Sequence, residues 1–326
     1  MPLWVIITLV GLAILVAAIF YSIPLYWWAR QESYLRHRAG ASTIKTERGE
    51  LEYAVQGQGI PILVMHGAGG SYRQGLLLTH LLDARRFQVI GMSRPGYPYT
   101  SLAAGRSFDD QADLAVDLLD SLNVDKTFIV GISAGGTPAF QFALRHPDRC
   151  RGLVLFSAAL PVPDAPKLAP IVVALFRAFM ATDYPIWLAL KLPVSALVAG
   201  SGFGWIDPAR LGDERTLEIL RELFDEFFPV GIWRDGVIND LTEYGTYSDL
   251  ACEDIRVPTL IIHGTHDSAV PFHTRAGIAR RIPDAQLMTI ERGTHVAVAT
   301  HWREIGAELE AFCAAQTSQR ARTRRR

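Results

Sequence analysis

One short segment of the chain places a serine where its hydroxyl could act as a nucleophile. The segment TFIVGISAGGTPAF sets Ser133 between two glycines, where an apolar run ends and an alanine-rich run begins. An ordinary turn would explain such a cluster, because glycine accepts positive φ and serine bonds nearby backbone. Gly-x-Ser-x-Gly is also the pattern of a nucleophile elbow, a strained strand-to-helix turn that exposes the serine and leaves the next amide, that of Ala134, free to donate. The elements around the segment decide between these interpretations.

The elements around Ser133 alternate short β-rich runs with amphipathic stretches from about Lys45 onward. Such alternation is typical of a mostly parallel sheet covered by helices. Apolar residues at helical spacing predict helices over 108–122 and 302–312. The predicted strands are 51–55, 60–65, 87–91, 127–130, 152–156, 259–263 and 286–290.

A long apolar segment interrupts this alternation between roughly residues 160 and 257. It contains PIVVALFRAFM, YPIWLALKL and VSALVAGSGFGW. The segment is too long for a loop of a compact domain and too apolar for a disordered linker. Charges such as Arg177 and Lys191, together with several prolines, argue against a second pair of membrane spans. We therefore predict an inserted helical lid.

The N-terminal residues are predicted to form a membrane anchor. The run LWVIITLVGLAILVAAIFYSIPLYWWA contains no charged side chain and exceeds the ~20 apolar residues that cross a bilayer. A cleaved signal peptide is the alternative, but it would need positive charge before the run and small residues after it. The excess of positive residues after the run predicts that the following domain is cytoplasmic. These residues are Arg30, Arg36, Arg38, Lys45 and Arg48.

Charge and cysteine content exclude several classes of protein. The formal net charge of −1 gives no reason to expect nucleic acid as a partner. Arginines crowd the last seven residues and predict a basic tail that is either disordered or resting on anionic lipid. Cys150, Cys252 and Cys313 form no C-x-x-C pair, so neither a disulfide framework nor a zinc site is indicated. The sequence contains no indication of oligomeric state.

Several motifs resemble those of the α/β-hydrolase fold family. IPILVMHGAGG resembles its strand and His-Gly loop, and SRPGYPYTS looks like its next characteristic loop. VGISAGG resembles its nucleophile elbow, PTLIIHGTHDSAVP its acid strand, and ERGTHVA its histidine loop. The chain order Ser, Asp, His is that of this family and not that of trypsin-like or subtilisin-like proteases. The resemblance covers about residues 51–313 without the lid, and it implies a mostly parallel central sheet flanked by helices.

The resemblance assigns roles to three residues. Ser133 takes the role of the nucleophile, which needs a base to accept its proton as it attacks a carbonyl. His295 is expected to be that base, because it alone among nine histidines follows a Gly-Thr pair just after the last predicted strand. Asp267 follows the strand TLIIH and is expected to accept a hydrogen bond from His295. A solvated loop histidine and a turn aspartate are the plainer alternatives.

Attack by the serine would create an oxyanion, which needs hydrogen-bond donors already in place. The Ala134 amide is expected to be one donor. By resemblance, the second comes from the loop that begins at His66, where Ala68 is the first choice and Gly67 or Gly69 are the alternatives. His66 itself is expected to brace this loop.

These features predict a membrane-anchored serine hydrolase that cleaves a carboxylic ester, or a related acyl bond, through an acyl-enzyme on Ser133. The apolar lid favours a hydrophobic or lipid-derived substrate. Ile132 stands where many lipases of the family carry histidine, which weakens a lipase assignment. Carbon–carbon bond hydrolysis and cofactor-free perhydrolysis use the same triad, and a non-catalytic ligand-binding member is a further alternative. No metal or organic cofactor is implied.

The predicted domain organisation has six parts. They are a transmembrane anchor (1–29), a juxtamembrane linker (30–44), the first part of the core (45–160), the lid (161–256), the second part of the core (257–315) and a basic disordered tail (316–326).

Overall fold

An eight-stranded sheet forms the centre of the protein. The computed structural model describes residues 1–161, 169–247 and 249–323. The strands are β1 (Ser42–Thr46), β2 (Gly49–Gly57), β3 (Ile60–Met65), β4 (Phe87–Met92), β5 (Thr127–Ile132), β6 (Cys150–Phe156), β7 (Thr259–Gly264) and β8 (Ala285–Ile290). Their order in the sheet is β1-β2-β4-β3-β5-β6-β7-β8. β1 and β4 both run antiparallel to β2, and every other neighbouring pair is parallel.

Helices precede the sheet and cover it. They are α1 (Leu3–Arg38), α2 (Tyr72–Leu76), α3 (Phe108–Ser121), α4 (Gly136–Arg145), α5 (Pro170–Phe179), α6 (Tyr184–Ala189), α7 (Val194–Gly200), α8 (Glu214–Asp225), α9 (Arg234–Tyr244), α10 (Phe272–Arg281), α11 (Ala297–Thr300) and α12 (Trp302–Thr323). The predicted helix at 108–122 is α3, and the one at 302–312 is the first half of α12. These elements confirm the predicted α/β class.

The sheet is apolar on both faces, as expected for parallel strands covered by helices. In β3, Leu63 and Met65 face a core cluster that also contains buried residues of α3, α4 and α10. Ile62 and Val64 face the opposite cluster, which contains buried residues of α12. Side chains alternate between faces along a strand, so the continuous apolar run in β3 serves both clusters.

All seven predicted strands are present, with ends within two residues of the predicted ones. The missed strand is β1, which lies in the segment predicted as a linker. Its sequence, STIKT, has a single large apolar residue, Ile44, because it forms the sheet edge and pairs on one side only. Residues up to Arg38 also depart from the linker prediction, because α1 continues through them and packs on the lid.

Two other boundaries differ from the predictions. The last part of the predicted lid belongs to the core, because Leu250, Cys252 and Ile255 are buried in the cluster under α3 and α4. The predicted disordered tail begins as helix, since α12 continues to Thr323 through residues that favour helices. Residues 324–326 of that tail lie outside the described part of the chain.

The lid lies between β6 and β7 and comprises α5 to α9 among the described residues. A buried ion pair joins it to the core. The Arg94 guanidinium in the loop after β4 donates to both carboxylate oxygens of Asp240 on α9, at 2.9 and 2.6 Å. The Tyr97 hydroxyl donates to the same carboxylate at 2.5 Å. This network fixes α9 above the sheet next to the loop that carries His66.

Candidate active site

Ser133 occupies a strained turn between β5 and α4. Its φ is +48°, a left-handed conformation that non-glycine residues seldom adopt. The flanking glycines are required by close approach. A Cβ on Gly135 would lie 2.1 Å from the Met65 carbonyl oxygen, and one on Gly131 would lie 2.7 Å from the Ala139 Cβ. Of the two interpretations of this segment, the geometry of the turn supports the nucleophile elbow rather than an ordinary turn.

The structure brings the three predicted site residues together. His295 Nε2 lies 3.0 Å from Ser133 Oγ, and His295 Nδ1 lies 2.9 Å from Asp267 Oδ2. Asp267 follows β7 and His295 follows β8, so both reach the serine from loops at the carboxyl ends of parallel strands. The His295 backbone amide donates to the Phe203 carbonyl at 3.0 Å, which ties the histidine loop to the lid.

Asp267 is buried and accepts several hydrogen bonds. Oδ1 accepts from the amides of Ala269 at 3.0 Å and Val270 at 2.8 Å, while Oδ2 faces His295. Burial by itself would raise the pKa of this carboxyl, but the hydrogen bonds from His263, His295 and Val270 outweigh burial and hold the pKa well below its usual range. Asp267 is therefore ionised at neutral pH.

His263 is a site residue that the sequence analysis missed. Its Nε2 lies 3.2 Å from Asp267 Oδ2 and 2.8 Å from the Val270 carbonyl oxygen. Because a carbonyl only accepts, this nitrogen carries a proton, and that proton also faces the carboxylate. His263 thus helps to hold Asp267 in place. The only feature of the sequence that could have indicated this role was the position of His263 within an apolar strand, four residues before the aspartate.

The loop after β3 lies against the elbow. A Cβ on Gly67 would lie 3.0 Å from the Ser133 Cβ. The Gly67 amide already donates to Gln74 Oε1 at 2.6 Å, so it is engaged within the protein. In the described part of the chain, the amides of Ala68, Gly69 and Ala134 have no hydrogen-bond acceptor. They are free to donate to a ligand atom bound at Ser133, whereas Gly67 is not.

His66 braces this loop, as expected. Its Nε2 accepts a hydrogen bond from the Arg94 amide at 2.9 Å, and its Nδ1 lies 2.7 Å from the Gly67 carbonyl oxygen. An accepting Nε2 and a donating Nδ1 define a neutral imidazole. Burial and then the positive charge of Arg94 lower the pKa of His66 well below its usual value, so it stays neutral.

A largely apolar cavity of about 180 Å³ opens at Ser133 and His295. The lid contributes Phe203 and Phe227 to its wall, and the Phe203 ring centre lies 5.2 Å from that of His295. The core contributes apolar side chains and the carboxamide of Gln74. Such a cavity suits an apolar group held next to the serine hydroxyl.

One group of potential metal ligands occurs in the described part of the chain. Ligand atoms of His80, Glu218 and Glu222 lie within 4.8 Å of one another. Both glutamates are at least partly exposed, and none of the three residues lines the cavity at Ser133. This group has no contact with the candidate active site.

Comparison with known proteins identifies the family to which this fold belongs. Residues 60–301 match the family model described as the alpha/beta hydrolase fold, and the chain belongs to this family. The chain is 27% identical to 2-hydroxymuconate semialdehyde hydrolase of Pseudomonas putida over 266 residues, which are 79% of this chain and 89% of that protein. It is 40% identical to an uncharacterized hydrolase of Bacillus subtilis (strain 168) over 116 residues, but these span only 40% of that relative.

Solved structures share the fold. An alpha/beta hydrolase fold protein from Nakamurella multipartita is 30% identical, with a TM-score of 0.64, over 80% of this chain and 93% of the other. A membrane phospholipase A, described as a bacterial virulence factor, is 20% identical with a TM-score of 0.60 and shares the fold over 96% of this chain and 98% of the other. The matched proteins include esterases, carbon–carbon bond hydrolases and a bromoperoxidase. The chain is an α/β hydrolase.

Proposed function

We propose that this α/β hydrolase is a membrane-anchored serine esterase that cleaves a carboxylic ester of a hydrophobic acyl group. The observation that carries the proposal is the hydrogen-bonded series Asp267–His295–Ser133, which ends at an apolar cavity. A base within hydrogen-bond distance of a serine activates it as a nucleophile. A pocket that only binds a ligand has no need of such a pair.

The proposed reaction begins with attack on the ester carbonyl. Ser133 Oγ forms a bond to the carbonyl carbon while His295 Nε2 takes the serine proton. The ionised Asp267 holds Nδ1–H of His295 and stabilises the imidazolium that forms. The carbonyl electron pair moves onto oxygen, where the free amides of Ala68 and Ala134 are the donors proposed to stabilise it.

Collapse of this intermediate releases the alcohol. His295 gives its proton to the leaving oxygen as the carbon–oxygen bond breaks, which leaves the acyl group on Ser133. Water then occupies the place of the alcohol, and His295 takes a proton from it as its oxygen attacks the acyl carbon. A second collapse returns that proton to Ser133 Oγ and releases the carboxylic acid.

Carbon–carbon bond hydrolysis is the second candidate. It is supported by the likeness to 2-hydroxymuconate semialdehyde hydrolase over most of both chains. The same serine and histidine would serve such a reaction, with a carbon leaving group in place of the alcohol. The apolar lining of the cavity favours ester hydrolysis, because it provides few hydrogen-bonding groups for a strongly polar substrate.

Membrane anchoring by α1 is part of the proposal. α1 has 36 residues and is the one helix in the described chain that is long and apolar enough to cross a bilayer. A signal sequence passes the same test of length and composition. The solved membrane phospholipase A shares the fold over 96% of this chain, an extent that includes part of α1. The positive residues that follow the apolar run favour a cytoplasmic catalytic domain.

Anchoring is tested by deleting residues 2–21. This truncation keeps Tyr26, which contacts the lid, so it removes the anchor without disturbing that contact. We expect the full chain to stay with membranes after alkaline extraction and the truncated chain to be released. Release of the full chain would contradict anchoring. Protease digestion of the catalytic domain in sealed vesicles of known orientation tests the cytoplasmic assignment.

The esterase proposal is tested with p-nitrophenyl esters of increasing acyl length. We expect hydrolysis by the full chain and none above background by Ser133→Ala, with unchanged unfolding temperature as evidence of folding. Hydrolysis that survives in Ser133→Ala would contradict the serine mechanism. Absence of ester turnover, with cleavage of 2-hydroxymuconate semialdehyde instead, would select the carbon–carbon reaction.

A further inference from the structure

A second apolar cavity lies within the lid. It measures about 320 Å³ and is formed mainly by α6 and α7, through residues such as Ile186, Leu190, Ala196 and Leu197. It contains none of the three residues proposed for catalysis. We refer to it as the outer groove and to the cavity at Ser133 as the inner cavity.

Two phenylalanines separate the outer groove from the inner cavity. Phe203 and Phe227 line both spaces, and their ring centres lie 6.3 Å apart. The two rings pack against each other and against neighbouring side chains, among them the His295 ring, and neither ring forms a hydrogen bond, so a change of side-chain rotamer would break none. Phe203 is also flanked by Gly202 and Gly204, whose φ values of +74° and +106° lie in the left-handed region that favours glycine.

The outer groove lies beside the part of α1 that contacts the lid. Trp187 and Tyr184 of α6 pack on Tyr26 of α1, with ring centres 5.7 and 5.3 Å apart. Ile186 and Leu190, which line the groove, pack on the same aromatic cluster. The groove therefore adjoins the interface between α1 and the lid. Its rim carries exposed apolar side chains, of which Leu192 is 53% exposed.

We propose that the outer groove binds the distal part of a straight hydrocarbon chain whose carbonyl group lies at Ser133. The chain would pass between Phe203 and Phe227 and extend toward the bilayer side of the lid. Both compartments are apolar, and each methylene moved from water into such a site can raise kcat/KM by up to about fourfold. This inference rests on the proposed function, because it places the reacting carbonyl at Ser133.

The first test compares two tryptophan substitutions on the full chain. Ala196 is exposed at the outer groove, and Ala174 is exposed on α5 outside it, so Ala174→Trp is the matched control. We measure the ratio of kcat/KM for p-nitrophenyl dodecanoate to that for the butanoate. Ala196→Trp should lower this ratio at least tenfold, and Ala174→Trp should leave it within twofold of the unsubstituted protein. An unchanged ratio in a folded Ala196→Trp protein would overturn the proposal.

The second test does not depend on turnover. In the Ser133→Ala protein, Ala196→Cys and Ala174→Cys are alkylated with N-ethylmaleimide, and the natural cysteines are buried. Dodecanoate should slow alkylation at position 196 at least fivefold and leave position 174 unchanged, and butanoate should protect neither. Equal rates with and without dodecanoate at position 196 would refute the groove as a chain site.

The two tests separate failure of the groove from failure of the proposed function. Protection at position 196, combined with no esterase activity in the unsubstituted protein, would support the groove as a chain-binding site and contradict the proposed esterase function. Esterase activity without protection, and with an unchanged ratio in Ala196→Trp, would support the esterase and overturn the groove.

Discussion

The core half and the lid half of the inner cavity are held by different kinds of interaction. On the core side, hydrogen bonds fix Ser133, His295 and Asp267, and two close-packed glycines fix the turn. On the lid side, the rings of Phe203 and Phe227 form no hydrogen bond and are held by packing against neighbouring side chains, which for Phe203 include the His295 ring. Hydrogen bonds depend on distance and angle, whereas apolar contacts have no preferred direction. From this difference we expect the core to determine the reaction and the lid to determine which substrates reach it.

Two of the lid's attachments, one to the core and one to α1, differ in how deeply they are buried. Near the active site, Arg94 and Asp240 form a fully buried pair with two direct hydrogen bonds. Farther out, Asp183 binds Tyr26 and, at 3.2 Å, Arg30 of α1, and Arg30 is partly exposed. The cost of breaking a buried pair exceeds that of an exposed one, because the remaining charge stays unsolvated. We expect the inner attachment to maintain the fold and the outer one to adjust access.

The largest effect should come from the core side. Ser133→Ala and His295→Ala should each lower kcat by about 10⁴- to 10⁶-fold, because the proposed nucleophile and base act as one unit. The double variant should lose little more than either single variant. Steady-state kinetics on a p-nitrophenyl ester, with far-UV circular dichroism as a check on folding, measure this. Additive losses would show that the two residues act separately.

The inner attachment of the lid should contribute the next largest effect. Asp240→Ala leaves the Arg94 guanidinium buried without a countercharge, and we expect a loss of about 3–5 kcal/mol in the free energy of unfolding. Urea denaturation measures this loss. The control is Asp235→Ala on the same helix, where the carboxylate is exposed and its pairing with Arg234 should contribute ~0–1 kcal/mol. Equal losses in the two variants would contradict the comparison.

The outer attachment should have a smaller effect on stability. Asp183→Ala removes the carboxylate that Tyr26 and Arg30 bind, and we expect a loss of about 1–2 kcal/mol because Arg30 can still reach water. The variant should also be cleaved faster by protease within the lid than in the core. A loss as large as that of Asp240→Ala would show that α1 is part of the fold rather than an adjustable support for the lid.

The smallest effect concerns Glu52, a buried carboxyl in β2 on the core side. Burial raises its pKa to about 8, although a hydrogen bond from Ser93 at 2.6 Å acts in the opposite direction. The pKa of Glu52 is higher in the folded protein than the ~4.3 of the unfolded chain. The contribution of this carboxyl to the free energy of unfolding is therefore fully present at low pH, where the group is protonated. It is lost as the pH rises from about 4 through about 8.

Glu52→Gln should remove this pH dependence. A neutral amide of similar shape needs no proton, so the variant should be more stable than the unsubstituted protein at pH 9, by about 1 kcal/mol or more. The two proteins should differ less at pH 5. Thermal unfolding at both pH values tests this, and a parallel decline of both proteins between pH 5 and 9 would refute the assignment.

Local patterns in the sequence were enough to predict the sheet and the core half of the site. Buried parallel strands appear as short apolar runs bounded by turn residues, so each strand can be recognised without knowledge of the strand it pairs with. Ser133, Asp267 and His295 each lie within five residues of the end of such a run, and the carboxyl ends of parallel strands meet at one edge of the sheet. The glycines of the elbow were visible for the same reason, since the need for them arises within a few residues.

Only the tertiary structure decided the features that depend on distant partners. The pairing of Arg94 with Asp240 joins residues 146 positions apart, and the sequence around neither residue indicates the other as its partner. His263 lies only four residues before Asp267, but the sequence did not show that the turn after β7 brings the carboxylate back to its ring. Phe203 and Phe227 were two of many aromatic residues in an apolar segment, and only packing made them a wall between two cavities. Apolar contacts have no preferred direction, and a buried charge can pair with any residue of opposite charge. The amino-acid composition therefore shows that such contacts will form, but not which residues will form them.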